Sequence, residues 1–308
     1  MISKNDNKKV AIIIINYNGN EDTLQCLKSI DQYCIKHDYS VLLVDNASHQ
    51  PINRQELTQF KVAINYIISP HNLGFAGGNN LAIEYIKDNN YQYDYLFLQN
   101  NDTILIDDSL DRLVDVLEKE GVEIGGLVNY FYDCPSKIWQ AGSFIRASRL
   151  SGREMNSFHL DSAELIYVDS IPGSSMLIKS EVVQAIGLFD ERYFAYYEEM
   201  DFCTRAKENG YKVSFLPDTR ILHKVGRSST SKLKHYLRTR NTLLFYSLHY
   251  KQYMTIAYLR ILLRTIRNVI ETKFDFGFIN PFWRGVYDYK KGIFFAGSIG
   301  LFGKNIPK

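Results

Sequence analysis

Four short runs of apolar, largely β-branched residues, Val10–Ile15, Val41–Val44, Ile64–Ile68 and Tyr95–Leu98, constrain this chain more than any other feature. Each is followed by a polar turn and a helix-like segment. The runs are continuously apolar rather than alternating, as strands are when crossover helices bury both their faces, so this half predicts a parallel α/β sheet. Ser174–Lys179, Val213–Leu216 and Arg220–His223 predict further strands, and Glu198–Asn209 predicts a helix stopped by Gly210. Ligands of such sheets bind beyond the carboxyl ends of the strands. Polar residues gather at those ends: Asn16-Tyr17-Asn18, Asp45-Asn46-Ala47-Ser48, Asn72 with Gly74 to Asn80, and Asn100-Asn101-Asp102. One such cluster is ordinary turn chemistry. Four that point one way suggest a site.

Within these clusters Asp102 is a carboxylate available to a hard cation such as Mg²⁺ or Mn²⁺, which prefers oxygen ligands and keeps positions for phosphates. The plainer alternative is a turn-forming residue ahead of a helix near Asp107-Asp108. Glu198, Glu199 and Asp201 open the predicted helix, where the helix dipole alone would favour them. Asp201 and Arg205 are four apart and should pair, whereas Glu199 is rotated off that stripe and is the freer candidate for a general base. His223, at a strand end, is either a structural histidine or a metal ligand. Lys224 and Arg227 beside it could meet phosphate oxygens. The glycines at 74, 77 and 78 fit neither a P-loop nor a dinucleotide fingerprint. They serve either close approach of a nucleotide or tight helix–sheet packing.

The net charge of +2 conceals a division: from Gly226 onward there are 15 Lys and Arg against 3 Asp and Glu, and before it 21 against 31. The basic part turns helical, with Leu259, Leu262, Leu263, Ile266, Val269 and Ile270 in one stripe and Arg260, Arg264 and Arg267 in another. Its length and charge suit a unit that lies on an anionic membrane, a helical cap, or a homodimer interface. The arginines interrupt the best candidate span, so the chain is expected to be soluble or peripheral. No nucleic-acid motif accompanies the basic residues. Four cysteines without paired spacing suggest neither a zinc site nor a disulfide framework, and fit a reducing cytosol.

In order, IIIINYNG, LLVDNAS, HNLGFAGGNN, FLQNND, IPGSSMLIK, FDERYFAYYEEMDFCTRA and LHKVGRSS resemble the motifs of family 2 glycosyltransferases, and within them a bacterial rhamnosyltransferase-like branch that builds cell-surface polysaccharides. The resemblance covers Val10 to Asn241. It implies a GT-A fold, while the helical spacing and basic charge after about Ser228 divide the chain into a catalytic domain over residues 1–227 and a basic helical region over 228–308. It also implies a nucleotide-diphosphate sugar donor, dTDP- or UDP-linked, a divalent cation (Mg²⁺ or Mn²⁺), and inversion at the anomeric carbon. The acceptor is then a glycan or lipid-linked molecule, and the setting cytoplasmic, on the inner face of the membrane. By position, Asn16, Asn18 and Asp45 fall where the family holds nucleobase and ribose, and Asn72, Gly74 and Asn79 in its nucleotide-sugar loop. Asn100, Asn101 and Asp102 occupy its DxD position, with Asp102 the main metal ligand, and His223 matches a histidine at the metal–diphosphate site. Glu198-Glu199 stands for the family's Glu-Asp pair, with Asp201 in reserve as base. Two other readings use a similar sheet: a nucleotidyltransferase acting on sugar phosphates, and a non-catalytic nucleotide-sugar-binding module. Against the first, Asn16 to Asn20 contains no lysine or arginine to cradle a triphosphate.

Overall fold

The computed structural model describes residues 7–149, 153–155, 164–225, 231–297 and 299–301. Its first half alternates strand and helix: β1 (Lys9–Asn16), α1 (Asn20–Tyr33), β2 (Asp38–Asn46), α2 (Arg54–Leu57), β3 (Ala63–Ser69), α3 (Gly74–Asp88) and β4 (Tyr95–Asn100). β1 pairs in parallel with both β2 and β4, and β2 with β3. Successive residues of β1 enter opposite cores. Ala11 and Ile13 join Leu42, Val44, Leu96 and Leu98 on one face, while Val10, Ile12 and Ile14 join Val41, Leu43 and Phe97 on the other. Two buried faces are the reason the run shows no alternation. Because the chain leaves β1 for β2 on one side and returns to β4 on the other, the sheet reverses its winding between β1 and β4. A crevice opens at such a point.

The second half is less regular: β5 (Thr103–Leu105), α4 (Ser109–Glu120), β6 (Ile124–Gly126), β7 (Asn129–Phe131), β8 (Cys134–Gln140), β9 (Gly142–Phe144), β10 (Arg153–Met155), β11 (Ile166–Tyr167), β12 (Ser175–Lys179), α5 (Ser180–Ile186), α6 (Glu198–Glu208), β13 (Val213–Phe215) and β14 (Ile221–His223). The main sheet has the order β11-β13-β6-β12-β4-β1-β2-β3. β12 runs antiparallel to both neighbours, so the sheet is mixed. A second sheet, β5-β14-β7-β8, sets Thr103 opposite His223. That register brings the turn after β4 beside the end of β14.

After residue 230 come α7 (Ser231–His249), α8 (Met254–Glu271) and α9 (Ile279–Lys291). α7 is buried along much of its length: Leu243, Phe245 and Tyr246 share a core with Ala147 and Tyr193, and Leu233, Tyr236 and Leu237 share one with Phe194. On α8 much of the apolar stripe faces outward, while two of the three arginines turn toward the protein and Arg267 stays exposed beside Glu271. Leu259, Leu262, Leu263, Ile266 and Ile270 are 44–58% exposed. Arg260 faces inward and donates to the carbonyls of Arg146 and Arg149, and Arg264 donates to the Arg238 carbonyl and Thr242 Oγ1. Among the described residues no helix is long and apolar enough to cross a membrane. All four cysteines are free thiols.

Candidate active site

Two adjoining chambers lie at the carboxyl ends of β1, β2 and β4. The first, about 170 Å³, is lined by Tyr17, Asn46, Asn72, Gly74 and Asn100 to Asp102, with Leu233 and Leu237 of α7 closing it. The second, about 190 Å³, is lined by Trp139, Gln140, Pro172 to Ser174, Glu198 and Glu199. Phe75, Asn100, Ala195 and Tyr196 border both. The two acidic motifs therefore lie in adjoining chambers of one cleft region.

In the first chamber Asp102 Oδ1 lies 3.2 Å from His223 Nε2, with both side chains largely buried. The Trp139 ring stands edge-on to the imidazole at 4.4 Å between centroids, and His223 Nδ1 is buried without a hydrogen-bond partner. A carboxylate oxygen and an imidazole nitrogen converging in this way suit Mn²⁺ or Mg²⁺ held jointly with diphosphate oxygens. Among the described residues, no group of three or more His, Cys, Asp and Glu is placed to hold a metal. The amide of Asn101 turns away from the pair and donates to Thr23 Oγ1 at 3.0 Å. Lys224 is tied to α1, its Nζ 2.6 Å from Asp22 Oδ1 and 2.5 Å from Gln25 Oε1, so it does not face the cleft as a phosphate ligand. Arg227 lies outside the described residues.

Several polar residues expected around the donor hydrogen-bond among themselves and to the backbone beside the cleft. Asn16 is fully buried and donates to Asp45 Oδ2 and Asn20 Oδ1, while its own Oδ1 accepts from Gly19 N and Thr23 Oγ1. Asp45, also fully buried, accepts from Ser48 N. Asn18, at φ 54°, accepts from His49 N, and Asn79 donates to the Phe75 carbonyl. None of these four lines either chamber. Asn46, not singled out in the sequence, joins β2 to the glycine loop: it donates to the Gly74 carbonyl and to Asn72 Oδ1 and accepts from Leu73 N. The close approach at Gly74 is made by the chain itself. At φ +73°, a Cβ there would lie 2.4 Å from the Phe194 carbonyl oxygen, and one on Gly78 would lie 3.1 Å from Ile15. Of the two uses weighed for these glycines, the structure displays packing.

The acidic helix start sorts its carboxylates by environment. Asp201 is buried and committed: Arg205 Nε donates to its Oδ2 at 2.8 Å, His249 Nε2 lies 2.8 Å from its Oδ1, and Tyr193 also reaches it. Burial acts to raise its pKa, but the His249 hydrogen bond and the Arg205 charge win, holding it below the ordinary value. Asp201 lines neither of the two chambers. Glu198 and Glu199 do face the cleft, each with one buried oxygen lacking a partner. Burial, then the adjacent Glu199 carboxylate, pushes Glu198 well above the usual range. Glu199 is raised by burial, opposed by backbone hydrogen bonds and the Arg238 guanidinium. Burial thus raises both carboxyls, and the neighbouring carboxylate adds to the rise at Glu198, while Arg238 acts against it at Glu199.

Residues 11–186, more than half of the chain, match the model of glycosyl transferase family 2. The chain belongs to this family. The glycosyltransferase is 27% identical to the low-salt glycan biosynthesis hexosyltransferase Agl10 of Haloferax volcanii over 87% of each chain. It is 23% identical to the dTDP-rhamnosyl transferase RfbF of Shigella flexneri over 77% of this chain and 80% of that one, and 25% identical to the rhamnosyltransferase WbbL of Escherichia coli over 70% and 83%. Among solved structures, its fold resembles that of a Pyrobaculum calidifontis mannosyltransferase in complex with GDP-Man and Mn²⁺ (TM-score 0.60, 13% identity, 92% of this chain and 88% of that one). It also resembles Staphylococcus aureus TarS 1-349 in complex with UDP-GlcNAc (TM-score 0.58, 14% identity, 91% and 80%). The fold is thus GT-A, as expected.

Proposed function

We propose that this family 2 glycosyltransferase is an inverting, metal-dependent hexosyltransferase. In this reading it moves a sugar, with rhamnose the leading candidate, from a dTDP- or UDP-linked donor to a glycan or lipid-linked acceptor in bacterial cell-surface polysaccharide synthesis. The supporting observation is the pair of adjoining chambers, with Asp102 beside His223 in one and Glu198 and Glu199 in the other. Asp102 and His223 would hold the divalent cation, which when bound neutralises charge on the diphosphate leaving group. The Asn46–Asn72–Gly74 corner shapes the donor end. Glu199 accepts the proton of the attacking hydroxyl in the second chamber, with Glu198 beside it. Trp139 orients His223 and walls the acceptor end. Inversion follows from attack opposite the leaving group.

A thermal-shift panel of nucleotide sugars with Mn²⁺ picks out the donor, because a ligand specific to the native state raises its stability. Release of nucleoside diphosphate from that donor, with water or a glycan as acceptor, then reports the reaction. Glu199→Gln should retain donor binding and lose turnover by about 100- to 10,000-fold, the range for removal of a general base. Near-normal turnover would sink the assignment.

The helices after residue 228 are read as a cap whose outer face seats the enzyme on the inner face of the cytoplasmic membrane. In favour of this seat is the apolar outer face of α8, which continues into exposed Phe274, Phe276, Ile279 and Trp283. The acids of this region are already paired: Glu271 with Arg267, Asp275 with Lys232 and Asp288 with Arg284. The excess cations thus favour an anionic bilayer over a second copy of the same charge. Binding to phosphatidylglycerol vesicles that Ile266→Glu abolishes is the expected result; a homodimer that the same change dissociates would replace the reading.

A further inference from the structure

The turn Phe194–Tyr197 leads directly into Glu198 and Glu199, and it is unusual in its backbone. Phe194, Tyr196 and Tyr197 all have positive φ, at 64°, 70° and 81°, without a glycine among them. Such a path persists only where its surroundings over-determine it, and it clusters at functional sites. Here the surroundings are two consecutive residues of α7, both fully buried. Asn241 Nδ2 lies within hydrogen-bonding distance of the carbonyls of Tyr193, Ala195 and Tyr196, at 2.9, 2.8 and 2.7 Å. Arg240 donates to the carbonyls of Arg192 and Tyr193 and, at its other nitrogen, to that of Phe295. Arg240 Nε also donates to Asn241 Oδ1 at 3.0 Å, which fixes the amide's orientation. The remaining carbonyl of the turn, that of Phe194, accepts from Ala76 N at the start of α3. Every carbonyl from 192 to 196 is captured.

We infer that Arg240 and Asn241 are positioning residues for catalysis, a clamp that holds the Phe194–Tyr197 turn so that Glu199 faces the acceptor hydroxyl. Neither touches the reacting atoms. They act through the turn, and Ala195 and Tyr196, which border both chambers, carry the effect to the cleft. This assigns a positioning role to α7, a helix that also packs against α8 and α9. The inference rests on the base assignment proposed above.

The test compares Asn241→Ala with Leu117→Ala, a core change in α4 remote from the cleft. Turnover is followed as donor hydrolysis, binding of UDP and dTDP with Mn²⁺ is measured separately, and kcat and KM are recorded from pH 5 to 9. Asn241→Ala should lower kcat about 100-fold, the penalty of misplacing a reacting group by about 1 Å. Affinity for the diphosphates should hold within about threefold, since Asp102 and His223 are untouched. The acid limb of the pH profile should also move. It reports Glu199 among Glu198, Asp201 and Arg238, whose relative placement the turn sets. Leu117→Ala should lower the melting temperature and leave kcat per folded molecule and the limb in place. Should Asn241→Ala not fold, Asn241→Ser, which keeps one donor, is read in the same way. An unmoved limb with kcat falling only as the folded fraction falls would overturn the clamp while leaving an inactive Glu199→Gln to support the base. An active Glu199→Gln would overturn both.

Discussion

Gly74→Ala tests whether the glycine loop serves the fold of the cleft or the ligand. At φ +73°, alanine enters the left-handed region at a cost of about 1–2 kcal/mol. The new Cβ would lie 2.4 Å from the Phe194 carbonyl oxygen and 2.6 Å from its ring, far inside van der Waals contact. Relief requires moving the start of α3 or the Phe194 peptide, an overpacking cost of about 1–3 kcal/mol. The Phe194 carbonyl also accepts from Ala76 N at 3.0 Å, and loosening that bond adds about 0.5–1.5 kcal/mol. The total, about 2.5–6.5 kcal/mol, is a large fraction of the roughly 5–15 kcal/mol that holds a typical protein folded. Gly121→Ala is the internal control: it has φ +60° with nothing within 4 Å of its Cβ, so it should cost the backbone component alone. Urea unfolding of the two variants gives the clash by difference. Turnover in Gly74→Ala should fall further than stability explains, because Phe194 belongs to the turn that precedes Glu198. Equal losses in the two variants would refute the reasoning and return Gly74 to a ligand contact.

Asp102→Asn should abolish the Mn²⁺-dependent stabilisation by nucleoside diphosphate in a thermal shift and cut kcat/KM. Trp139→Ala, which removes the ring that orients His223, should weaken metal-dependent binding about 10- to 100-fold, the usual range for outer-shell partners. Asp201→Asn should destabilise by about 3–5 kcal/mol, since it leaves Arg205 without its buried counter-ion, and should alter donor affinity little. Because the Asp201 carboxyl is held below its ordinary pKa, its contribution is fully present above the unfolded value and is lost as pH falls through the lowered one; urea titrations from pH 7 to 3 check the direction. Glu199, by contrast, is raised, so kcat/KM should begin to fall on acidification at a pH above the ordinary glutamate value. Profiles that break no higher than an unperturbed carboxylate would contradict the burial of this side chain.

What could be read from the sequence and what could not separates by the range of the interaction that decides each feature. The strands of the first half are legible because burial on both faces writes itself into every residue of Val10–Ile15, and the switch between β1 and β4 follows from their connectivity. The pairing of Asp201 with Arg205 is a neighbour effect within one helical turn and was equally legible. His249, which completes the confinement of Asp201, comes from α7, 48 residues away, and no local signal marks it. α8 makes the same point more sharply. Its two stripes are plain in the periodicity, yet which one faces the protein was settled by the carbonyls of Arg146, Arg149 and Arg238 that receive the guanidinium groups. Periodicity defines faces; partners remote in the chain choose between them. The same holds for Arg240 and Asn241, an unremarked pair in the middle of a helix until the turn they bind is folded against them. The residues least visible in the sequence lie where the expected C-terminal unit meets the cleft, and Leu233 and Leu237, beyond a boundary at 227, line the first chamber. A boundary drawn from charge and periodicity therefore cuts through the site, because both signals report each segment's own composition and neither reports what it closes over.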